Sequence, residues 1–229
     1  MWNFGPGVSE LEHKKRAFYH YVKVWARRFG FSLSEALCEK LCEHYGLLLH
    51  WNKRINLTRI LDPEEAARFH YVESLYGERW LDPSITKVAD VGSGGGFPGI
   101  PIALARPNIS VVLIEKSRKR AAFLSEAARQ LGLENVEIFC ERFEAYESRD
   151  FDGVVCRALE RMRERIPDLL AFAEESAQVL LFGDEDLERA VRESAAPRWR
   201  VNSIIIPYTR ERRLIILRQS RGFHVEPIT

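Results

Sequence analysis

The sequence predicts one α/β domain, a seven-stranded, mostly parallel sheet preceded by a helical extension. Three observations lead to this prediction. Residues 1–80 carry apolar side chains at helical spacing, and from Lys87 onward short β-branched runs alternate with helical stretches, as is typical of βαβ units. The last two strand-like runs are joined by a link too short for a crossover helix. A chain of 229 residues with 46% hydrophobic content is long enough for one such domain.

Three helices are expected in the extension, residues 1–80, ahead of a sheet domain at residues 81–229. The first is indicated by apolar residues at near-helical spacing: Leu11, Phe18, Val22, Trp25 and Phe29. The second follows Ser32-Leu33-Ser34-Glu35, which resembles a capping box. The third begins at Asp62 as N-cap, with Pro63 at the first helical position and acidic residues at the positive end of the helix dipole.

Seven strands are expected in the sheet domain. The parallel ones are residues 87–91, 111–115, 136–140, 151–156 and 178–182. Between the second and third of these lies the clearest helix, from N-cap Ser117 to Leu131, which Gly132 stops. Residues 201–206 and 214–217 are the last two strands, and the short link between them predicts an antiparallel hairpin.

Nothing in the sequence indicates a membrane segment or a metal site. No run approaches the roughly 18 apolar residues of a membrane span, and the first residues lack the basic and apolar regions of a signal peptide. The four cysteines form no paired C-x-x-C ligand set: Cys38, Cys42, Cys140 and Cys156. We therefore expect a soluble, cytoplasmic monomer with no membrane partner, no metal and buried thiols.

The net charge of +1 gives no sign of a nucleic-acid partner, so any such surface must come from local clusters of cations. The clusters are Lys14-Lys15-Arg16, Arg27-Arg28, Lys53-Arg54 with Arg59, Arg118-Lys119-Arg120, Arg161 with Arg163 and Arg165, and Arg210 with Arg212-Arg213. Taken singly, each cluster is more typical of a solvated face than of a phosphate contact.

A glycine-rich segment directly after the first strand is the most informative motif. Residues 90–99 read Asp-Val-Gly-Ser-Gly-Gly-Gly-Phe-Pro-Gly. Glycine is needed where a ligand packs against the main chain and where φ is positive. Five glycines in eight positions exceed what a tight turn requires. The segment therefore predicts a cofactor cradle at the carboxyl edge of the sheet.

Two cofactors fit this cradle. Residues 94–99 match the dinucleotide fingerprint G-x-G-x-x-G, and Glu115, at the end of the second strand, suits the ribose of either NAD or S-adenosylmethionine (SAM). Pro98 lacks the N–H that a pyrophosphate needs, and Asp90 places a carboxylate near the loop. SAM carries a cationic sulfonium and an ammonium and no phosphate, so these residues favour SAM. An NAD(P)-binding oxidoreductase remains the alternative.

Together these motifs resemble those of the bacterial 16S rRNA guanine-N7 methyltransferases, also called glucose-inhibited division protein B (RsmG/GidB). The likeness spans residues 51–217. It rests mainly on the loop motif D-V-G-S-G-x-G-F-P-G-I-P at residues 90–101 and on Arg157-Ala158 after the fourth strand. Further matching segments are Trp51-Asn52, Asn56-Leu57-Thr58, His70, Glu73-Ser74, residues 115–117, Lys119-Arg120, Phe123-Leu124, residues 142–144 and Phe151-Asp152.

The resemblance implies the class I SAM-dependent methyltransferase fold, which is Rossmann-like, over residues 81–229. It implies SAM-dependent N7-methylation of a guanine in 16S rRNA, in the decoding-region loop, with naked rRNA or the small ribosomal subunit as substrate. Guanine N7 has a free lone pair, so the reaction needs alignment and no obligatory general base. Cys156-Arg157-Ala158-Leu159 stands where amine methyltransferases carry an Asn- or Asp-Pro-Pro-aromatic tetrad, and we interpret Cys156 as an inert thiol.

The resemblance also implies SAM contacts from Gly92, Phe97, Phe143, Glu144 and Arg157. Phe97 would pack on the ligand, Glu144 would accept from the adenine amino group, and Arg157 would hold a carboxylate or an RNA phosphate. From the loop and the strand ends we add three cofactor contacts: Asp90, Gly94 and Glu115. The candidates for the target pocket are Arg157 and three residues of the helical extension: Asn56, Thr58 and His70. Hydrogen bonding at helix ends explains those three equally well.

Two positions depart from the family pattern. Phe182-Gly183 stands where Lys-Gly is usual after the fifth strand, and Glu73 stands where Asp is usual. Loss of the lysine removes a cation from this edge of the sheet. A SAM-binding ribosome-assembly factor without catalysis is therefore a further alternative.

Overall fold

Seven strands form one mixed sheet in the computed structural model, which describes residues 9–159 and 161–219. The strands are β1 Lys87–Val91, β2 Ser110–Ile114, β3 Val136–Phe139, β4 Gly153–Arg157, β5 Gln178–Gly183, β6 Trp199–Ile205 and β7 Arg213–Gln219. Their order is β3-β2-β1-β4-β5-β7-β6. Strands β1 to β5 are parallel to one another, and β7 is antiparallel to both β5 and β6. The predicted sheet and its terminal antiparallel hairpin are confirmed.

The strand boundaries lie within two residues of the prediction, and β1 agrees with it at both ends. β4 begins at Gly153 and not at residue 151. Just before it, the Asp152 carboxylate accepts hydrogen bonds from the backbone N–H of Thr86 (2.7 Å) and Lys87 (2.9 Å). β6 begins two residues early, at Trp199, which is buried and pairs with Gln219.

Helices precede the sheet and connect its strands. They are α1 Glu10–Arg28, α2 Glu35–Asn52, α3 Pro63–Ala66, the π-helical turn Ala67–Val72, α4 Glu73–Glu78, α5 Gly99–Ala105, α6 Arg118–Leu131, α7 Ile166–Phe172 and α8 Glu185–Ser194. Short 3₁₀ turns cover Phe143–Ala145 and Met162–Arg165. Asp62 is an N-cap as predicted, and α6 runs from N-cap Ser117 to Gly132, where φ is 67°.

The start of α2 corrects one prediction. Its N-cap is Ser34, whose hydroxyl accepts from the N–H of Leu37 (3.2 Å), and not Ser32. Glu35 does not complete a capping box, because its carboxylate binds Tyr19 and Lys23 on α1. These contacts join the first two helices of the extension.

Each face of the sheet is covered by its own hydrophobic cluster. Successive strand residues point to opposite faces, so that Val88 joins one cluster and Ala89 the other. Helices α1 to α6 lie on the first face, and α7 and α8 lie on the second. The extension therefore shares its core with the sheet. Within the described residues, no helix has both the length and the apolar character needed to cross a membrane.

Candidate functional site

A cleft of about 680 Å³ opens at the carboxyl ends of the central strands. Its walls include Gly92 after β1, Glu115 after β2, Phe143 and Glu144 after β3, and parts of residues 158–165 after β4. The strand order reverses at β1, where ligands bind in open α/β sheets. The volume is that of a small-molecule or cofactor site.

Gly92 forms the part of the glycine loop that faces the cleft. Its φ of 77° lies in the left-handed region, and its N–H donates to the Ile114 carbonyl (2.9 Å). A Cβ atom at this position would lie 2.9 Å from Cδ1 of Leu159, which also lines the cleft. The backbone conformation therefore favours glycine, and any larger residue would also have to displace the Leu159 side chain.

Glu115 presents a fixed carboxylate to the cleft. The side chain is only 4% exposed. One carboxylate oxygen accepts from the N–H of Gly94 (3.0 Å), and the other accepts from the N–H of Ser117 (2.8 Å). The role of Gly94 is therefore indirect: its N–H fixes the position of the Glu115 carboxylate. Each carboxylate oxygen can accept a further hydrogen bond, as a vicinal diol would require.

The 3₁₀ turn after β3 places Phe143 and Glu144 on the opposite wall. Arg165 lies over the Phe143 ring, with its guanidinium carbon 4.9 Å from the ring centroid, and it also hydrogen-bonds the Glu144 carboxylate. Phe143 is buried, whereas Glu144 is exposed. This wall therefore combines a flat apolar ring with a carboxylate whose charge is partly neutralised.

Of the residues that follow β4 closely, the sequence analysis named Ala158 in a motif and Arg161 in a cation cluster but predicted neither as a site residue. Ala158 and Arg161 line the cleft, and both have positive φ, 58° and 54°. Such conformations are costly for residues other than glycine and are concentrated at functional sites. The sequence signal that could have identified Ala158 and Arg161 as site residues is their position just after the carboxyl end of a central strand.

Asp90 lies beneath the glycine loop and not on the cleft wall. The residue is fully buried, and one carboxylate oxygen accepts from the N–H of Gly99 at the start of α5 (3.0 Å). Its other carboxylate oxygen has no hydrogen-bond partner among the described residues. Burial raises the pKa of Asp90 to about 7. Asp90 thus fastens α5 to β1.

Phe97 also lies beneath the loop, although the sequence predicted that it packs on the ligand. It is 5% exposed. Its ring stacks on His70, with centroids 4.6 Å apart, and it meets Tyr71 (4.9 Å) and His44 (5.3 Å) edge-on. The ring joins the extension to the sheet.

Arg157 belongs to a hydrogen-bonded chain with His70 and Thr58. Its guanidinium donates to the Phe69 carbonyl (2.7 Å) and to Nδ1 of His70 (2.7 Å). Because arginine only donates, Nδ1 must accept, and the imidazole is neutral with its proton on Nε2. That proton is donated to Oγ1 of Thr58 (2.7 Å). Burial and the Arg157 charge hold the pKa of His70 well below its usual range.

The remaining target-pocket candidate, Asn56, takes no part in the hydrogen bonds that link Arg157, His70 and Thr58. Its side chain is exposed, and its backbone carbonyl accepts from Arg120 (3.3 Å). The loop that carries Asn56 and Thr58 is organised by Asn52, a residue of the matching segment Trp51-Asn52 to which the sequence analysis gave no role. The Asn52 amide oxygen accepts from the N–H of Leu57 (2.8 Å) and of Thr58 (2.9 Å).

Two of the four cysteines, Cys38 and Cys156, are buried, whereas Cys42 and Cys140 are only partly buried. Cys156 is fully buried, and burial raises the pKa of its thiol, which favours the protonated and unreactive form. Burial also raises the pKa of Cys38 and of Cys42 to about 11. Among the described residues, no group of three or more His, Cys, Asp or Glu residues is arranged to hold a metal ion.

Both departures from the family pattern are part of the protein interior. Phe182 is 3% exposed, and its ring packs so closely against Gly77 that a Cβ there would lie 2.3 Å from the ring. Glu73 is 1% exposed and accepts from the Arg212 guanidinium (3.1 Å). The glycine at position 77 makes room for the Phe182 ring, and Arg212 pairs with the Glu73 carboxylate.

The chain is similar to a family of methyltransferases. A family model described as rRNA small subunit methyltransferase G matches residues 37–204. The Ribosomal RNA small subunit methyltransferase G of Nitrosospira multiformis is 44% identical over 130 residues, or 56% of this chain and 59% of that protein. Its namesake from Sorangium cellulosum is 38% identical over 172 residues, or 72% of each chain. The chain thus spans less than two thirds of the first relative's length.

Solved structures share the fold. A ribosomal protein L11 methylase from Lactobacillus delbrueckii subsp. bulgaricus has a TM-score of 0.54 at 22% identity, covering 66% of this chain and 79% of that one. TrmN from Thermus thermophilus has a TM-score of 0.54 at 16% identity, covering 65% and 48%. The strand order with its antiparallel hairpin is that of the class I SAM-dependent methyltransferase fold. With the family model matching most of its length, the chain belongs to the rRNA small subunit methyltransferase G family.

Proposed function

We propose that this chain is a SAM-dependent methyltransferase that methylates N7 of a guanine in 16S rRNA, in the decoding-region loop of the small subunit. One observation carries the proposal: Gly92, Glu115 and Glu144 converge on a single cleft at the carboxyl edge of the sheet. Family membership supports the rRNA substrate.

The residues of the cleft fit SAM. The free lone pairs of Glu115 suit the two ribose hydroxyls, and Gly92 leaves the main chain open to the ligand. Phe143 offers a flat surface to the adenine ring, and Glu144 an acceptor for its amino group. Bound SAM supplies a methyl group on a cationic sulfur.

The chain's own residues need only align the substrate and exclude water. Guanine N7 has a lone pair that requires no deprotonation, so a general base is unnecessary. His70, the histidine nearest to Arg157, is neutral and already hydrogen-bonded through both ring nitrogens. This arrangement suits a structural role for His70.

The dinucleotide alternative is disfavoured on physical grounds. A doubly wound dinucleotide-binding sheet has parallel strands in the order 3-2-1-4-5-6, whereas β7 here is antiparallel to its neighbours. Pro98, with no N–H, stands just before α5, where a pyrophosphate would need a donor.

A methyl-transfer assay tests the proposal. The full chain, labelled SAM and small subunits that lack the modification should give label at guanine N7, mapped to one nucleotide. SAM binding and RNA binding without turnover would instead indicate an assembly factor. Tight NAD(H) binding with none for SAM would overturn the proposal.

The variant Glu115→Gln tests the cofactor site itself. We expect about 10- to 100-fold weaker SAM affinity by calorimetry, because a charged acceptor shared by four hydrogen bonds becomes a neutral amide with one acceptor oxygen. The matched control is Glu134→Gln, which changes an exposed carboxylate between α6 and β3 and should leave SAM affinity unchanged. Equal affinities of the two variants would place the cofactor elsewhere.

A further inference from the structure

The cleft lies between two groups of cations that differ in their partners. One group, which we call the paired rim, is Arg161, Arg163 and Arg165. The other, which we call the open rim, consists of residues from two sequence clusters: Arg54, Arg59, Arg118, Lys119 and Arg120. Arg161 and Arg165 line the cleft from one side, and Arg120 lines it from the other.

Every cation of the paired rim is neutralised by acidic side chains. Arg161 pairs with Glu164 (2.7 Å). Arg163 pairs with Asp184 (3.2 Å) and Asp186 (3.1 Å). Arg165 pairs with Asp168 (3.1 Å) and with Glu144. This side of the cleft therefore carries little uncompensated positive charge.

The open rim is assembled by the fold from segments that are distant in sequence. Arg120, in the first turn of α6, donates to the Asn56 carbonyl (3.3 Å), which brings the loop after α2 beside α6. The Trp51 and Phe123 rings, with centroids 5.9 Å apart, pack the same two elements together. The loop that carries Arg54 and Arg59 therefore lies beside the start of α6, which carries Arg118 and Lys119.

The cations of the open rim are exposed, and within residues 9–159 and 161–219 none of them forms an ion pair with a carboxylate. Arg120 has a neutral carbonyl as its partner. The nearest carboxylate in sequence, Glu115, is buried and held by two backbone N–H groups. The negative charge of Glu115 faces the cleft and does not neutralise the open rim, which therefore stays positively charged.

The start of α6 indicates that this positive charge is retained at a cost in stability. Its first turn carries Arg-Lys-Arg and no acidic residue, although the N-terminus is the positive end of the helix dipole. Helices α1, α2 and α8 all begin with acidic residues in the first turn. A polyanion bound at the open rim would offset the unfavourable placement.

We propose that the open rim is the docking surface for the phosphate backbone of the RNA substrate, so that the target base enters the cleft from the α6 side and not across the paired rim. The inference rests on the proposed function and adds the direction of approach. Exposed, unpaired Arg and Lys side chains are what phosphates bind, with release of counterions. Arg120 links the docking surface to the cleft.

The test compares two double variants that remove the same charge. Arg54→Gln/Arg59→Gln acts on the open rim. The paired-rim variant is Arg163→Gln/Arg189→Gln. It removes Arg163 of the paired rim together with the neighbouring Arg189; both are paired with Asp186, and both lie outside the cleft lining. Binding to an unmodified transcript of the small-subunit rRNA is measured over a series of salt concentrations. The open-rim variant should bind about tenfold more weakly, with a salt slope lower by about one to two, and the paired-rim variant should match the wild type.

A second variant separates docking from folding. Arg118→Gln/Lys119→Gln removes cations from the positive end of α6, so its Tm should equal or exceed that of the wild type while its RNA affinity falls. SAM affinity should be unchanged in all three double variants. A structural role for these residues would instead lower Tm and leave the salt slope unaltered.

Three results would overturn the inference. RNA affinity could fall equally in the open-rim and paired-rim variants, or it could be unchanged in the open-rim variant. The open-rim variant could also lose affinity for assembled subunits only and not for protein-free RNA. The last would assign the open rim to an acidic protein partner. Failure of the proposed function is distinct, because the wild-type chain would then neither bind nor methylate rRNA.

Discussion

Two carboxylates flank the same glycine loop and have opposite surroundings. Asp90 on β1 and Glu115 after β2 lie at the ends of neighbouring strands, both almost fully buried. Glu115 accepts two backbone N–H groups and faces the cleft, whereas Asp90 accepts one and has an oxygen without a partner. The loop thus separates a binding face above it from a packing layer below it.

This packing layer, which we call the floor, holds residues that the sequence assigned to ligand contacts: Asp90, Phe97, His70, Arg157 and Thr58. Their partners in the structure are other protein groups. We therefore expect substitutions in the floor to change stability first, and substitutions on the binding face to change SAM affinity first.

Phe97→Ala should have the largest effect. Removal of a ring packed against His44, His70 and Tyr71 should cost about 3 to 5 kcal/mol of unfolding free energy, measured by chemical denaturation. The half-buried Phe31 offers a control, since Phe31→Ala should cost clearly less. A Phe97→Ala protein of normal stability that has lost SAM affinity would instead place this ring on the ligand.

The sequence predicted the sheet well because its signals are local. Short β-branched runs marked the strands, and the short link before Leu214 required an antiparallel hairpin. The directions of Asp90 and Phe97 were not predictable in this way. Phe97 follows a loop that passes through positive φ at Gly92, Gly94 and Gly96, and the path of this loop places its ring underneath. Asp90 lies in β1, ahead of the loop, and the glycine-rich motif alone did not show that its carboxylate would be covered by Gly99.

The open rim shows the same limit on a larger scale. Its two clusters are separated by more than fifty residues, and each alone resembles a solvated face. Tertiary contacts bring their two segments together: the hydrogen bond from Arg120 to the Asn56 carbonyl and the packing of Trp51 on Phe123. Residue composition located the cations, but tertiary packing decided which of them have acidic partners.

Asp90→Asn should remove a pH dependence. Burial raises the pKa of Asp90 to about 7, above the unfolded value of 3.8, so the folded protein binds more protons between these pH values. The stability from this group is complete below pH 3.8 and is lost as the pH rises through 7. From pH 5 to pH 8 the wild type should lose about 2 kcal/mol relative to the variant, by denaturation at each pH.

The control for this prediction is Asp184→Asn. The N–H of Leu187 donates to Asp184 and lowers the pKa of that carboxyl, so its contribution is present above the unfolded pKa and is lost only as the pH falls through the folded pKa. Its difference from the wild type should stay constant between pH 5 and pH 8. A constant difference for Asp90→Asn as well would mean that Asp90 is charged throughout.

Thr58→Val should have the smallest effect of the three and decides between two roles for this residue. The Thr58 hydroxyl accepts from His70 and from the N–H of Ile60 (3.0 Å), and valine leaves both donors without an acceptor, at a cost of about 1 to 2 kcal/mol. The exposed Asn56 is the comparison, because Asn56→Ala should change stability by less than about 0.5 kcal/mol. If Thr58→Val kept its stability but lowered the kcat of methylation, Thr58 would belong to the target pocket, and the floor would extend to the substrate.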